Sequence, residues 1–133
     1  MKALKARVVK GLNHRAMITT CDNSGAKILR FISVKGSKTV KNRMASAGIG
    51  DLIQATVRAG TKDMRKQVVF AIVVRQRKEY RRPSGLRVQF EDNAAVVLKD
   101  DKGNPKGTMI KGPIAKEAAL RWPMVAKLAG NIV

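Results

Sequence analysis

Cysteine, histidine, aromatic and acidic residues are all scarce in this sequence, and the first three scarcities each remove a class of function. Cysteine occurs once, at Cys21, which excludes an intrachain disulfide and any thiolate metal cluster and suits a reducing cytosol. Histidine also occurs once. His14 lies between Asn13 and Arg15, near Lys10, a setting for an exposed RNA contact or a spacer rather than a general base. Aromatic residues (Phe31, Phe70, Tyr80, Phe90 and Trp122) make up 4%. So few stacking platforms do not suit a general single-strand binder; contacts to phosphate, 2′-hydroxyl and folded RNA shape fit better. No run is long and apolar enough to span a membrane. Residues 1–10 carry charge without a sustained apolar region, so neither a signal peptide nor a membrane partner is expected.

What is abundant is positive charge. There are 28 Lys and Arg against 9 Asp and Glu, a formal net charge of +19 and a pI near 11.1. Such an excess destabilises a compact chain by self-repulsion unless a polyanion neutralises it. Nucleic acid does so with release of counterions. A membrane surface would call for a basic amphipathic helix, and none is evident. The charge is uneven: residues 1–87 hold 21 basic and 4 acidic groups, a net of +17, and residues 88–133 hold 7 and 5, a net of +2. An RNA face built mainly by the first two thirds is expected, with the C-terminal third left for protein contacts or exposure. With 133 residues, 44% of them hydrophobic, one domain with a single core is expected over 1–133.

The dominant periodicity is two, the mark of strands. Over residues 51–60 one face reads Leu52, Gln54, Thr56, Arg58 and the other Ile53, Ala55, Val57, Ala59. Residues 27–34 and 93–98 read as further strands. Residues 67–74 form a continuous β-branched run, the pattern of a central strand. That run continues into a stretch dense in Arg and Lys, turns at Pro83-Ser84-Gly85 and returns with Leu86, Val88 and Phe90 alternating against polar residues. This predicts a β-ribbon with a basic outer part. Helical signals come late: residues 115–121, then Pro123, then a second short helix over 124–129 closed by Gly130. The sum is a mainly β fold, a compact barrel with a C-terminal helical appendage. Its parts are a basic N-terminal segment (1–15), the barrel and ribbon (16–114) and the C-terminal helices (115–133).

No catalytic constellation is present, and neither metal nor cofactor is expected. Ser24 lies in Asp22-Asn23-Ser24-Gly25, a tight turn. The acid pairs Glu91-Asp92 and Asp100-Asp101 lack a third ligand and read as turn and surface residues. Residues 103–108 have the wrong order for a phosphate loop, and Gly48-Ile49-Gly50-Asp51 lacks the third glycine of a dinucleotide site. The basic clusters carry the positive signal. Lys35, Lys38, Lys41 and Arg43 share a loop, Arg58 stands on the polar face of its strand, and Arg65 and Lys66 cap the next turn. Arg75, Arg77, Lys78, Arg81, Arg82 and Arg87 form the ribbon. A single charged run is usually a solvated face; several runs of one sign, nearly free of acids, point to RNA contact.

The order of residues then resembles a universal ribosomal family. Ala71-Ile72-Val73-Val74, nine residues, Ser84-Gly85, four residues, Phe90, two residues, Asn93, two residues and Val96-Val97 is similar to the signature of large-subunit ribosomal protein fourteen, called protein twenty-three in eukaryotes. CDNSGAK at 21–27, GIGD at 48–51, RRPSG at 81–85 and FEDNAAV at 90–96 support it, as do Lys106-Gly107-Thr108, Lys111-Gly112-Pro113 and Ala115-Lys116-Glu117. The resemblance covers roughly residues 16–133, with 1–15 matching least. ISVKG at 32–36, RQRKEYRR at 75–82 and the ending WPMVAKLAGNIV are similar to the archaeal and eukaryotic branch. The chain lacks the long eukaryotic N-terminal extension, which favours an archaeal source.

The resemblance implies a small five-stranded barrel (OB/SH3-like) with a protruding ribbon and short C-terminal helices. It implies a structural, non-enzymatic constituent of the cytoplasmic ribosome that binds large-subunit rRNA and helps to form intersubunit bridges with small-subunit rRNA. Its implied neighbours are large-subunit protein three and the eukaryote-type protein twenty-four, with anti-association initiation factor six docking on the same face. Arg75, Arg77, Lys78, Arg81 and Arg82 would contact phosphate. Apart from the resemblance, the weakly charged C-terminal third with its Trp and Met leads to the expectation that Thr108, Arg121, Trp122 and Lys127 belong to a protein-facing surface. The alternatives are a free-standing RNA-binding chaperone with an OB-like barrel, which the scarce aromatics disfavour, and a nuclease, for which only His14 is available as a base.

Overall fold

The computed structural model describes residues 1–4 and 7–133. In chain order the elements are β1 (Leu12–Asn13), β2 (Met17–Thr20), β3 (Ala26–Val34), β4 (Ser46–Ala47), β5 (Leu52–Gly60), β6 (Val68–Arg75), β7 (Tyr80–Arg81), β8 (Arg87–Val88), β9 (Ala94–Val97) and β10 (Ile110–Ile114). The chain closes with α1 (Lys116–Arg121), α2 (Pro123–Leu128) and β11 (Ala129–Ile132). Strands β2, β3, β5, β6 and β9 form a closed five-stranded barrel in that order, sealed by parallel pairing of β2 with β9. Irregular register between β3 and β5, at Ala26/Ile28, Ile28/Leu29 and Phe31/Ser33, bends these long strands enough for so few to close.

The alternation in the sequence sorts inside from outside. Leu29 and Phe31 of β3, and Ile53, Ala55 and Val57 of β5, are buried in the barrel with Ile18, Ala71, Val73, Ala95 and Val97. On the outward faces of β2, β3 and β5, Thr19, Arg30, Thr56 and Arg58 remain at least partly exposed, while Leu52 at the start of β5 is buried in the second cluster. β6 from Ala71 to Val74 and all of β9 are buried on both faces. Ile72, Val74, Ala94 and Val96 point away from the barrel interior into a second apolar cluster with Ile114, Ala118, Trp122 and Val125. That explains the unbroken apolar run of β6, and it replaces the expected single core with two, separated by a shared wall. The barrel thus has one covered wall, β6–β9, and one open wall, β2–β3–β5.

Three expectations are corrected. First, the ribbon is not a continuation of β6. Gln76, fully buried, donates from Nε2 to the carbonyls of Val9 (2.9 Å) and Lys78 (3.0 Å) and accepts from Ile49 N–H (3.2 Å). Pinned in this way it ends β6, and the ribbon is a separate short hairpin with two residue pairs, Tyr80–Val88 and Arg81–Arg87. Second, Gly130 does not close a helix. Ala129 is already extended (φ −76°, ψ 126°), and β11 returns beside β10 in parallel. Third, Trp122 is not on the surface: it is 2% exposed, and its indole N–H donates to the Gly50 carbonyl (2.8 Å). Its ring lies against Gly103, where a Cβ would come within 2.5 Å of it. The helical interruption expected at Pro123 is present: α1 ends at Arg121, and Pro123 opens α2 from its first turn, a position its fixed φ favours.

Candidate nucleic-acid interface

Cations already neutralised within the fold must be separated from those left for a polyanion. Arg75 forms a bidentate pair with Asp92 (2.9 and 3.0 Å) and donates to the carbonyls of Lys111 (3.1 Å) and Pro113 (2.8 Å). Its side chain is only 12% exposed, so it fastens the end of β6 to β10 and has no free fork for phosphate. Arg82 is also enclosed. It pairs with Glu117 (2.9 Å), approaches the Tyr80 hydroxyl (3.3 Å) and donates to the Val133 carbonyl (2.7 Å). Tyr80 is itself buried and donates to Glu117 (2.8 Å). Burial, reinforced by this Glu117 carboxylate, pushes the phenol up to about 12. Arg121 reaches Asp51 at 3.3 Å from a half-buried position.

Two further pairs are looser. Arg87–Glu79 (2.8 Å) is solvent-exposed, and so is Lys35–Asp101, whose ammonium also lies 5.4 Å from the Phe70 ring centre. Exposed pairs of this kind contribute little, and both cations can be released to RNA. Lys38, Lys41, Arg43, Arg58, Arg65, Lys66, Arg77, Lys78 and Arg81 are all exposed. None has a carboxylate partner among the described residues.

These cations do not converge on one spot. Residues 35–44 form an exposed loop leaving the end of β3, where the Lys35 N–H donates to the Leu52 carbonyl (2.9 Å) at the start of β5. The turn carrying Arg65 and Lys66 lies at the other end of β5, with the Lys66 N–H on the Val57 carbonyl (3.0 Å). The two groups frame the open wall from opposite ends, and Arg58 stands on the wall between them. Lys41, Asn42 and Lys66 adopt left-handed backbone (φ 56°, 59° and 66°), which turns both loops sharply.

Two cations of β3, Lys27 and Arg30, were missed in the sequence. Arg30 lies in a row that crosses the sheet, Met17 opposite Arg30, Arg30 opposite Thr56, and Thr56 opposite Val68. The signal was available: with Leu29 and Phe31 inward, alternation sends Arg30 outward. Arg15 and Lys10, both exposed, add charge beside this wall and the β1–β4 pair.

The C-terminal third differs in net charge, its acids nearly balancing its cations. Thr108 is exposed, but its hydroxyl accepts from Asn23 Nδ2 and its N–H donates to Asn23 Oδ1, both at 2.8 Å. Lys127 is exposed near Met124, which is 44% exposed. Cys21 is buried, and burial pushes its thiol up to about 12, so it offers no thiolate at neutral pH. Among the described residues no group of three His, Cys, Asp or Glu could hold a metal ion, and no helix is long and apolar enough to cross a membrane.

Comparison with known proteins decides the family. Residues 11–133 match the family described as Ribosomal protein L14p/L23e. The chain belongs to this family. Members similar to it include proteins named large ribosomal subunit protein uL14 from Nanoarchaeum equitans (53% identical), Halorubrum lacusprofundi (53%) and Halobacterium salinarum (52%). Each comparison runs over 133 residues and covers all of both chains. The archaeal branch is thereby supported, and the likeness extends through residues 1–15, where the motifs were weakest. The L14p/L23e match starts one residue before β1, so the barrel, its open wall, the hairpin and the C-terminal elements all fall inside it.

Proposed function

We propose that this chain is a structural component of the large ribosomal subunit and binds the subunit's rRNA through the open barrel wall, its two framing loops and the exposed rim of the β7–β8 hairpin. One observation carries the reading. The arginines nearest to acid (Arg75, Arg82 and Arg121) are enclosed with it on the covered side, and the cations of the open side stand free. A stable fold would not leave like charges crowded together unless a polyanion met them. Membership in a ribosomal family supplies that polyanion. On this reading Arg30, Lys38, Lys41, Arg43, Arg58, Arg65, Lys66, Arg77, Lys78 and Arg81 contact RNA, with Lys35 and Arg87 joining by exchanging a surface carboxylate for phosphate. Arg75 and Arg82 hold the fold and are withdrawn from that set.

The finer assignment follows from the two-sidedness. With the open wall on large-subunit rRNA, the less charged C-terminal side is left to face protein and the small subunit. Thr108, Lys127 and Met124 serve that side, against large-subunit protein three, the eukaryote-type protein twenty-four or anti-association initiation factor six. The ribosome is its place of work, and it carries out no reaction there. The test is sedimentation of cell extract through a sucrose gradient at about 150 mM salt, where ion-pair contacts are screened but not abolished. The protein should travel with large subunits; a chain that stays at the top of the gradient contradicts the proposal and favours a free-standing RNA chaperone.

A further inference from the structure

At the edge of the open wall lies a cleft of 330 Å³ that the electrostatic reading does not use. It is lined by Met17 and Thr19 of β2, Arg77 beyond the end of β6, and Glu91, Asp92 and Asn93 ahead of β9. Carboxylates are out of place here if the ligand is phosphate alone, because they accept hydrogen bonds and repel anions. What a carboxylate can take from RNA is a hydrogen from a 2′-hydroxyl or a base edge, and only a base edge presents two side by side. Asp92 is not available for this, since both its oxygens receive Arg75. Glu91 is exposed and has no ion-pair partner among the described residues.

Asn93 is held in place beside it. Its Oδ1 accepts from the Arg77 N–H (2.9 Å), and its carbonyl accepts from the Thr19 hydroxyl (2.9 Å) and N–H (3.1 Å). With Oδ1 engaged, the orientation of the amide is set, and Nδ2 is left as a donor with no partner among the described residues. The cleft therefore combines a two-oxygen acceptor, an oriented N–H donor, an apolar side chain (Met17, 53% exposed) and an unpaired guanidinium. Its volume is at the small end for a binding pocket, which suits one base rather than two.

We propose that the cleft seats one unstacked guanine of the bound RNA. Glu91 accepts from guanine N1–H and the N2 amino group, Asn93 Nδ2 donates to O6, and Met17 and Arg77 cover the ring faces. Only guanine offers two adjacent donors next to an acceptor. Adenine and cytosine pair one donor with one acceptor, and uracil places a carbonyl against the carboxylate. Bases displayed in loops are the part of RNA that proteins read by sequence. This inference rests on the chain being an RNA binder and adds base specificity to it.

The test uses the full chain and an RNA hairpin whose uridine loop carries one variable base, with fluorescence anisotropy at low salt. A loop guanosine should bind roughly ten- to a hundredfold more tightly than adenosine, the discrimination expected of a bidentate base contact. Inosine, lacking the amino group, should fall between. Glu91→Gln should erase the preference, and Asp63→Asn, which changes the net charge equally at an exposed acid elsewhere, should keep it. Equal affinity for guanosine and adenosine in the unaltered protein, or a preference that survives Glu91→Gln, overturns the cleft assignment alone. Failure to bind any of the hairpins overturns the RNA reading beneath it as well.

Discussion

Arg81 and Arg82 are adjacent in one basic run, yet the structure gives them opposite roles, and replacing each by Ala separates them. Arg81 is exposed and has no carboxylate partner among the described residues. Arg82 closes a network in which Glu117 accepts from both Arg82 and Tyr80, and the Val133 carbonyl accepts a further Arg82 hydrogen. Its loss leaves a carboxylate that is only 14% exposed with a single phenol donor. Removing one partner of a fully buried pair costs about 3–5 kcal/mol, and the residual exposure here lowers the expectation to about 2–3 kcal/mol. For a chain of this length that is a fall in Tm of roughly 6–12 °C. Arg81→Ala should stay within about 0.5 kcal/mol of the unaltered protein and still weaken RNA binding. Urea titration followed by Trp122 fluorescence measures the stabilities, and Glu117→Gln completes a double-mutant cycle that isolates the pair. If Arg82→Ala is as stable as Arg81→Ala, the division between enclosed and free cations is wrong.

Other consequences can be checked with the same material. Trp122→Ala should destabilise by about 3–5 kcal/mol, and Gly103→Ala should also destabilise, because its Cβ would meet the indole at 2.5 Å with φ at +98°; thermal denaturation showing either variant unchanged would mean the ring is not packed there. Cys21, its thiol raised chiefly by burial from 9.0 to about 12, should resist a thiol reagent at pH 8 until urea unfolds the chain. The neutral thiol's contribution to stability should hold below pH 9 and decline toward 12; rapid labelling of the native protein would contradict both points. Lys127→Glu should leave stability and rRNA affinity unchanged while weakening protein assembly on the C-terminal side, and an equal loss of rRNA affinity would assign that side to RNA.

Local pattern was enough for the strands because alternation is a local property: Leu29–Phe31 and Ile53–Val57 show their faces within a few residues. The two-faced burial of β6 was legible too, as an unbroken apolar run. What local pattern could not show is long-range pairing. Arg75 meets Asp92 across 17 positions and Arg82 meets Glu117 across 35, so in sequence they look like any other cations of the ribbon. Trp122 beside Pro123 looked like an exposed helix break because nothing nearby indicates that Gly103 leaves room for an indole. Gly130 resembled a helix stop until β11 was seen to pair with β10. The free cations of the 35–44 loop were legible because the loop contains no acid at all, and Arg58 because its strand was read face by face; Arg30 was overlooked because residues 27–34 were not read that way.

The central claim is that free cations on the open wall and its loops, rather than the total charge, bind the RNA, and salt dependence tests it most directly. The slope of log affinity for large-subunit rRNA against log salt should be steep in the unaltered protein and shallower by about one for each phosphate contact removed. The triple variant Lys38→Ala, Lys41→Ala, Arg58→Ala should therefore lose roughly two to three from that slope. A control with Lys116 and Lys127 changed to Ala, both on the C-terminal helices, should keep it. If both variants lose the same amount, binding follows net charge and the open wall has no special part in it.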